Sequence, residues 1–177
     1  EGPLSKKGKS SYLIMGRYST LSLFQQIGIQ IGTDAVPQYG DASFKFNFPL
    51  KNGGQLSWFG IGGKSKIDIE ISEQTQYSTE FYGEGDRDQY FGTSMYVTGL
   101  NFKKPLNQKT FVSATIAASF DEQRSRHNYL QRSLGINNGD TSIIVDTIYP
   151  MMGYEFNTIK TSGYFSINHK VSKKHLI

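Results

Sequence analysis

The sequence contains no cysteine, which excludes disulfides, thiolate metal sites and thiol nucleophiles together. It also lacks any run approaching the roughly 20 uninterrupted apolar residues of a membrane helix, so any span across a bilayer must be built from strands. Histidine is scarce: His127, His169 and His175 have no metal-ligand spacing, and no metal site is expected. No serine stands in a nucleophile-elbow context with a histidine and an acid, so neither a catalytic residue nor a cofactor is expected. No basic, apolar leader precedes the first strand pattern; an export signal is expected to have been removed or to lie upstream.

What is abundant is aromatic and glycine: 12 Phe, 11 Tyr and 19 Gly in 177 residues. Rich aromatics with a negative mean hydropathy suit strands that are apolar on one face only. The alternation is plainest over 42–50, where Phe44, Phe46, Phe48 and Leu50 fall on one side and Ser43, Lys45 and Asn47 on the other. The Lys51-Asn52-Gly53-Gly54 stretch follows, and Asn-Gly between two alternating runs predicts a hairpin reversal. Further strands are predicted over 10–18, 55–71, 89–105, 110–120 and 162–172, with a helical turn within 21–31. Gly60, Gly62 and Gly63 predict a bulge or bend in the second strand of the hairpin. Residues 142–156 favour strand at Ile143, Ile144 and Val145 but are interrupted by Pro150, which predicts a loop extension or a bulged strand start.

Short turns are thus expected near 6–9, 51–54, 105–109 and 172–175, and long loops over 19–41, 72–88 and 121–160. In a meander such alternation puts all the short turns on one rim. Charge follows the same division. Lys6, Lys7, Lys9, Lys51, Lys103, Lys104, Lys109, Lys170, Lys173 and Lys174 lie in or beside the short turns, where Glu1 is the sole acid, while every arginine lies elsewhere. The fold expected is therefore all-β: an antiparallel up-and-down meander of six or seven strands, forming part of a larger transmembrane β-barrel whose long loops share one side.

A soluble sandwich uses the same period of two, and a soluble or surface-exposed all-β binding module is the alternative. It predicts that the faces bearing Phe44, Phe46 and Phe48 and residues 112–120 pack against each other. In the membrane reading, Tyr90 and Phe102 stand roughly 31 Å apart after strand tilt, spaced for two aromatic girdles. Along residues 89–105, however, Phe91, Met95 and Val97 compete with Tyr96, Leu100 and Phe102 for the apolar face. Two unpaired sheet edges predict aggregation in water without the rest of the barrel.

Candidate ligand contacts lie in the predicted loops. Glu84, Asp86 and Asp88 alternate in an acidic stretch suited to a cationic ligand or a metal chelate, although the spacing lacks the glycine and distal glutamate of an EF-hand. Arg124 and Arg126, with His127, are candidates for lipopolysaccharide phosphates or an anionic ligand, with Asp121 and Glu122 beside them as neutralising partners. Gly62-Gly63-Lys64-Ser65 imitates the end of a phosphate-binding loop, but Trp58 stands where the motif needs glycine. The lysines sit at turn tips rather than interleaved with aromatics, so no nucleic-acid partner is expected.

The run EGPLSKKGKSSYLIMGRYSTLSLFQQIGI, followed by VPQYGDASFKFNFPLKNGGQLSWFGIGG, resembles the early barrel region of TonB-dependent outer-membrane receptors, particularly those with a carboxypeptidase-regulatory-like domain ahead of the plug. The resemblance covers most of the chain and is strongest over residues 1–63. It implies a location in the bacterial outer membrane and a segment of a 22-stranded barrel. It further implies outer-membrane lipid, the remaining barrel and a plug as partners, contact with TonB through that plug, and an imported ligand that scaffold motifs do not name.

Overall fold

The computed structural model describes residues 1–6, 8–18, 37–73, 84–137 and 140–171. Seven antiparallel strands lie side by side in sequence order in one sheet: β1 (Gly2–Pro3), β2 (Ser11–Tyr18), β3 (Gln38–Pro49), β4 (Gln55–Ile69), β5 (Arg87–Asn107), β6 (Thr110–Asn137) and β7 (Asp140–His169). β1 and β7 do not pair with each other, so the sheet is open. Single 3-10 turns at Lys51–Gly53 and Ile71–Glu73 are the only helical pieces among the described residues. The predicted helical turn within 21–31 and the turn at 172–175 lie outside them, as does Lys7.

The hairpin at Asn52 forms, but as a five-residue connection closed by the Leu50 N–H donating to the Gly54 carbonyl at 2.7 Å. Among the described glycines Gly53 alone adopts a positive φ, 77°, the left-handed position that helps make the reversal. At the same rim, β5 and β6 are joined through Gln108 and Lys109, where the Asn107 side-chain oxygen accepts the Lys109 N–H at 2.8 Å. An asparagine side chain replaces a backbone partner there.

Three expectations are corrected. Residues 121–160 are not a loop: β6 continues to Asn137 and β7 begins at Asp140, making strands of 28 and 30 residues. Their polar, charged residues suit a strand because cross-strand partners such as Arg124 and Glu155 satisfy them on one face, while Ser125 and His127 are buried on the other. Pro150 fits because β7 is the edge of the described sheet and the register shifts beside it, between His127 and Asn128 on the partner strand. The bulge expected as one possibility at Gly60, Gly62 and Gly63 is also absent, for β4 keeps unbroken register with both neighbours. The glycines instead leave room for rings: a Cβ on Gly60 would lie 2.5 Å from Phe44, and one on Gly62 would lie 2.6 Å from Tyr96. Third, the regions expected as loops are trimmed at their ends, since β3 starts at Gln38 and β5 at Arg87.

Register decides what alternation left open. One cross-sheet row reads Tyr12, Phe46, Trp58, Leu100, Ile116, Gly163; the next reads Ile14, Phe44, Gly60, Thr98, Ala118, Thr161; a third reads Gly16, Ala42, Gly62, Tyr96, Phe120, Ile159. Phe48, Leu56, Phe102, Ala114 and Phe165 form the row on the other side of Trp58. Tyr96, Leu100 and Phe102 therefore belong to the apolar face. The opposite face carries the row Ser11, Asn47, Ser57, Asn101, Thr115, Tyr164, laced by hydrogen bonds from Ser57 to Asn47 at 2.8 Å and from Asn101 to Thr115 at 2.7 Å.

Buried apolar side chains are few among the described residues: Ile69, Ile71 and Leu130, with Ile67, Phe91 and Val145 packed against them. This small core lies at the rim away from the lysines. Elsewhere no second layer among the described residues covers the sheet, and Ile116 is 64% and Phe165 66% exposed.

Candidate functional site

The apolar face is a band. On β6 it runs from Val112 to Phe120, eight residue steps or about 27 Å along the strand and about 21 Å after a 40° tilt. Aromatic contacts stiffen it: Phe44 meets Trp58 edge-on with ring centroids 4.8 Å apart, Phe46 stacks on Trp58 at 5.6 Å, and Tyr96 stacks on Phe120 at 6.3 Å. Two of its polar side chains are satisfied within it. The Trp58 indole N–H donates to the Thr98 hydroxyl at 3.0 Å, which donates in turn to the Phe59 carbonyl at 3.0 Å.

Directly beyond Tyr96 and Phe120 the same face turns charged. Lys64, Ser94, Glu122 and Asn157 make one row; Lys66, Gly92, Arg124 and Glu155 make the next. Arg124 bridges Glu122 and Glu155, the latter at 3.2 Å, and Lys66 pairs with Asp68 at 2.8 Å. Tyr90 lies beyond these rows, with the Arg126 guanidinium 4.7 Å from its ring centroid. The aromatic pair bordering the apolar band is thus Tyr96 with Phe120, and the expected Tyr90 border is displaced by two charged rows.

The acidic triplet is not one site. Asp88 is buried and its carboxylate accepts the Ser72 N–H at 2.8 Å, pinning the 3-10 turn to β5. Asp86 takes two hydrogen bonds from Arg87, at 2.6 and 3.0 Å, which hold its carboxyl below the usual range, and its carbonyl accepts the Leu130 N–H at 2.9 Å. Glu84 is exposed, and its N–H donates to Gln89 at 3.0 Å. With Arg132 donating to the Gly85 carbonyl, these contacts fasten the described end of the β4–β5 connection over β5 and β6. Among the described residues no cluster of acids and histidines could hold a metal ion.

His127 parts company with Arg124 and Arg126 because successive strand residues face opposite ways. It is buried, T-shaped to the Phe91 ring, with Nε2 2.8 Å from the Ser125 hydroxyl, while Nδ1 has no hydrogen-bond partner among the described residues. Among those residues no carboxylate orients this ring as the third member of a hydrolytic triad would.

Two hollows sequence reasoning missed open on the apolar side. One, of about 730 Å³, is lined by Lys64, Lys66, Gly92, Tyr96 and Arg124 among others; the second, of about 560 Å³, is lined by Phe44, Tyr96, Ala118, Phe120 and Ile159. The signal was present in Gly62-Gly63-Lys64-Ser65, but its meaning depended on which residues β5 and β6 brought alongside. Comparison of the chain with family models, curated proteins and solved structures finds no match.

Proposed function

We propose that this sheet is a segment of an outer-membrane TonB-dependent receptor barrel, taking part in ligand uptake across the bacterial outer membrane. The observation that carries this reading is the band of exposed apolar rows continuous across β2–β7, backed on the other face by a polar row from Ser11 to Tyr164 whose side chains hydrogen-bond across strands. Lipid would cover the first and the barrel lumen would lie against the second. The height of the band suits the apolar belt of about 25 Å that such barrels present.

Strands β6 and β7 run far past the band, so their outer halves would stand above the bilayer with the β4–β5 connection. Ligand capture belongs there, with the rest of the barrel and the plug; of the candidate contacts, Glu84, Asp88 and Arg126 have no ion-pair partner among the described residues, and Asp88 is buried. The soluble binding-module reading loses its specific requirement, because Phe44, Phe46 and Phe48 lie on the same side of one sheet as Val112–Phe120 and do not oppose them.

The test is fractionation of native cells with an antibody to this segment. The receptor reading expects a band several times the mass of the segment, in the outer membrane, with mobility that shifts on heating in detergent. A band of about 20 kDa in the soluble fraction would end it.

A further inference from the structure

The apolar band divides the charges of the sheet. The row Arg17, Asp41, Gly63, Met95, Asp121, Thr158 lies directly beyond the row of Tyr96 and Phe120. On the short-turn side of it, Glu1 is the only acid among the described residues and every cation is a lysine. Lys6 and Lys9 stand in the β1–β2 turn, Lys51 in the β3–β4 turn, Lys103, Lys104 and Lys109 around the β5–β6 turn, and Lys170 after β7. None of them belongs to an ion pair among the described residues; the pairs use Arg17, Lys66, Arg87 and Arg124, whose charges are met by Asp41, Asp68, Asp86, Glu122 and Glu155. The cations of the far half are thus largely cancelled, and those of the turn rim are not.

The turns also touch one another. A Cβ on Gly53 would lie 3.4 Å from Pro105 Cγ, and the Lys170 N–H donates to the Lys109 carbonyl at 2.8 Å. The lysines of β3–β4, β5–β6 and the β7 end therefore form one patch. Leu4, Leu50, Leu106 and Val171 are exposed beside them, and Lys104 shares a row with Val112 and Ile167, immediately past the row of Phe102, Ala114 and Phe165. That step of two residues is about 7 Å along the strand, short enough for a lysine stem to lie on the band while its ammonium reaches past it. Exposed leucines that continue the apolar band, interleaved with unpaired cations, suit the boundary zone of a bilayer, where acyl chains meet charged headgroups.

We propose that the lysine rim is a binding surface for anionic phospholipid headgroups of the leaflet that it borders, centred on Lys51, Lys103, Lys104 and Lys109. Leu50 and Leu106 sit at the acyl boundary beneath those headgroups. The inference rests on the membrane reading above and deepens it by naming the lipid class that this rim selects.

The test uses the intact protein, purified from its own outer membrane and reconstituted in vesicles of equal phosphatidylglycerol and phosphatidylcholine with the same acyl chains. A photoreactive phenylalanine analogue in place of Leu106 reports which lipid lies against the rim, counted by mass spectrometry of the cross-links. Phosphatidylglycerol is expected to exceed phosphatidylcholine at least about fivefold. K51Q/K103Q/K104Q/K109Q should bring the ratio to about one, the corresponding arginine variant should keep it high, and K64Q/K66Q, which neutralises lysines beyond the band, should leave it unchanged. Should the glutamine variant not insert, the parent still decides: in about 1 M salt, where screening acts within about 3 Å, its ratio should also approach one. Equal cross-linking of the two lipids in the parent, or a preference indifferent to salt, overturns the headgroup surface and leaves the barrel standing. Cross-links to a protein in place of lipid overturn it as well and assign the rim to an acidic partner. A parent protein that never enters the outer membrane overturns the barrel reading, and the lysine surface with it.

Discussion

At the scale of single residues, the apolar band depends on a few polar atoms being satisfied within it. Thr98 joins the Trp58 indole to the Phe59 carbonyl, and in a lipid-facing wall no water is present to replace it. Thr98→Val is expected to destabilise the protein by about 1–2 kcal/mol through the orphaned indole N–H, and Thr98→Ser should recover most of it. Urea midpoints of the refolded protein would measure both, and an unchanged midpoint for the valine variant would sink the argument. Asp86 gives a pH prediction. Its carboxyl is held low by hydrogen bonds from Arg87, so its contribution is fully present above the unfolded value, near 3.8, and disappears as pH falls through the depressed folded value. Asp86→Asn should flatten that acid limb and leave the neutral-pH difference as its only effect; identical acid limbs in the two proteins would refute the assignment.

At the scale of the strand, glycine serves close approach more than bending. Gly99 shows this best: a Cβ there would lie 2.7 Å from the Ile116 carbonyl and 2.7 Å from the Phe59 ring, whereas one on Gly163 would have nothing within 4 Å. Gly99→Ala is expected to cost about 1–3 kcal/mol by forced displacement of β6 backbone, and Gly163→Ala to be near neutral. Comparable losses for the two would mean the spacing between β5 and β6 relaxes freely. The facing of residues was legible where alternation was clean, as at Phe44, Phe46 and Phe48, although β3 starts four residues earlier than the pattern, at Gln38. Strand ends were not legible in β6, because Asp121–Arg126 carries charge on both faces and reads as loop until β7 supplies Glu155 opposite Arg124. The candidate site fared likewise: Glu84, Asp86 and Asp88 were noticed for their charge, yet burial turned Asp88 into a fastening and Arg87 occupied Asp86.

At the scale of the whole sheet, the two faces should answer differently to the same substitution. Ala114 lies on the apolar face beside Phe102 and Phe165, while Ser57, 4% exposed, is hydrogen-bonded to Asn47 on the polar face. Ala114→Leu should be tolerated within about 0.5 kcal/mol if lipid lies beyond it, and Ser57→Leu should cost about 1–3 kcal/mol by removing the hydrogen bond to Asn47 and crowding the wall. Heat-shift midpoints in detergent would compare them. A larger loss at Ala114 would indicate a packed core on the apolar face and return the soluble reading to favour. The segregation of charge belongs to this scale as well, since every ion pair among the described residues lies in the strands and connections away from the short lysine-bearing turns.

By itself the sequence determined the all-β class, the antiparallel order, the hairpin at Asn52 and the lysine rim, because alternation, Asn-Gly chemistry and charge position are local properties written residue by residue. Only the tertiary structure decided which face of β5 is apolar, how far β6 and β7 extend, and that Lys64, Lys66 and Arg124 line one hollow. Each of those depends on register, and register is a relation between strands: a shift of one residue exchanges the two faces while leaving the sequence of every strand unchanged.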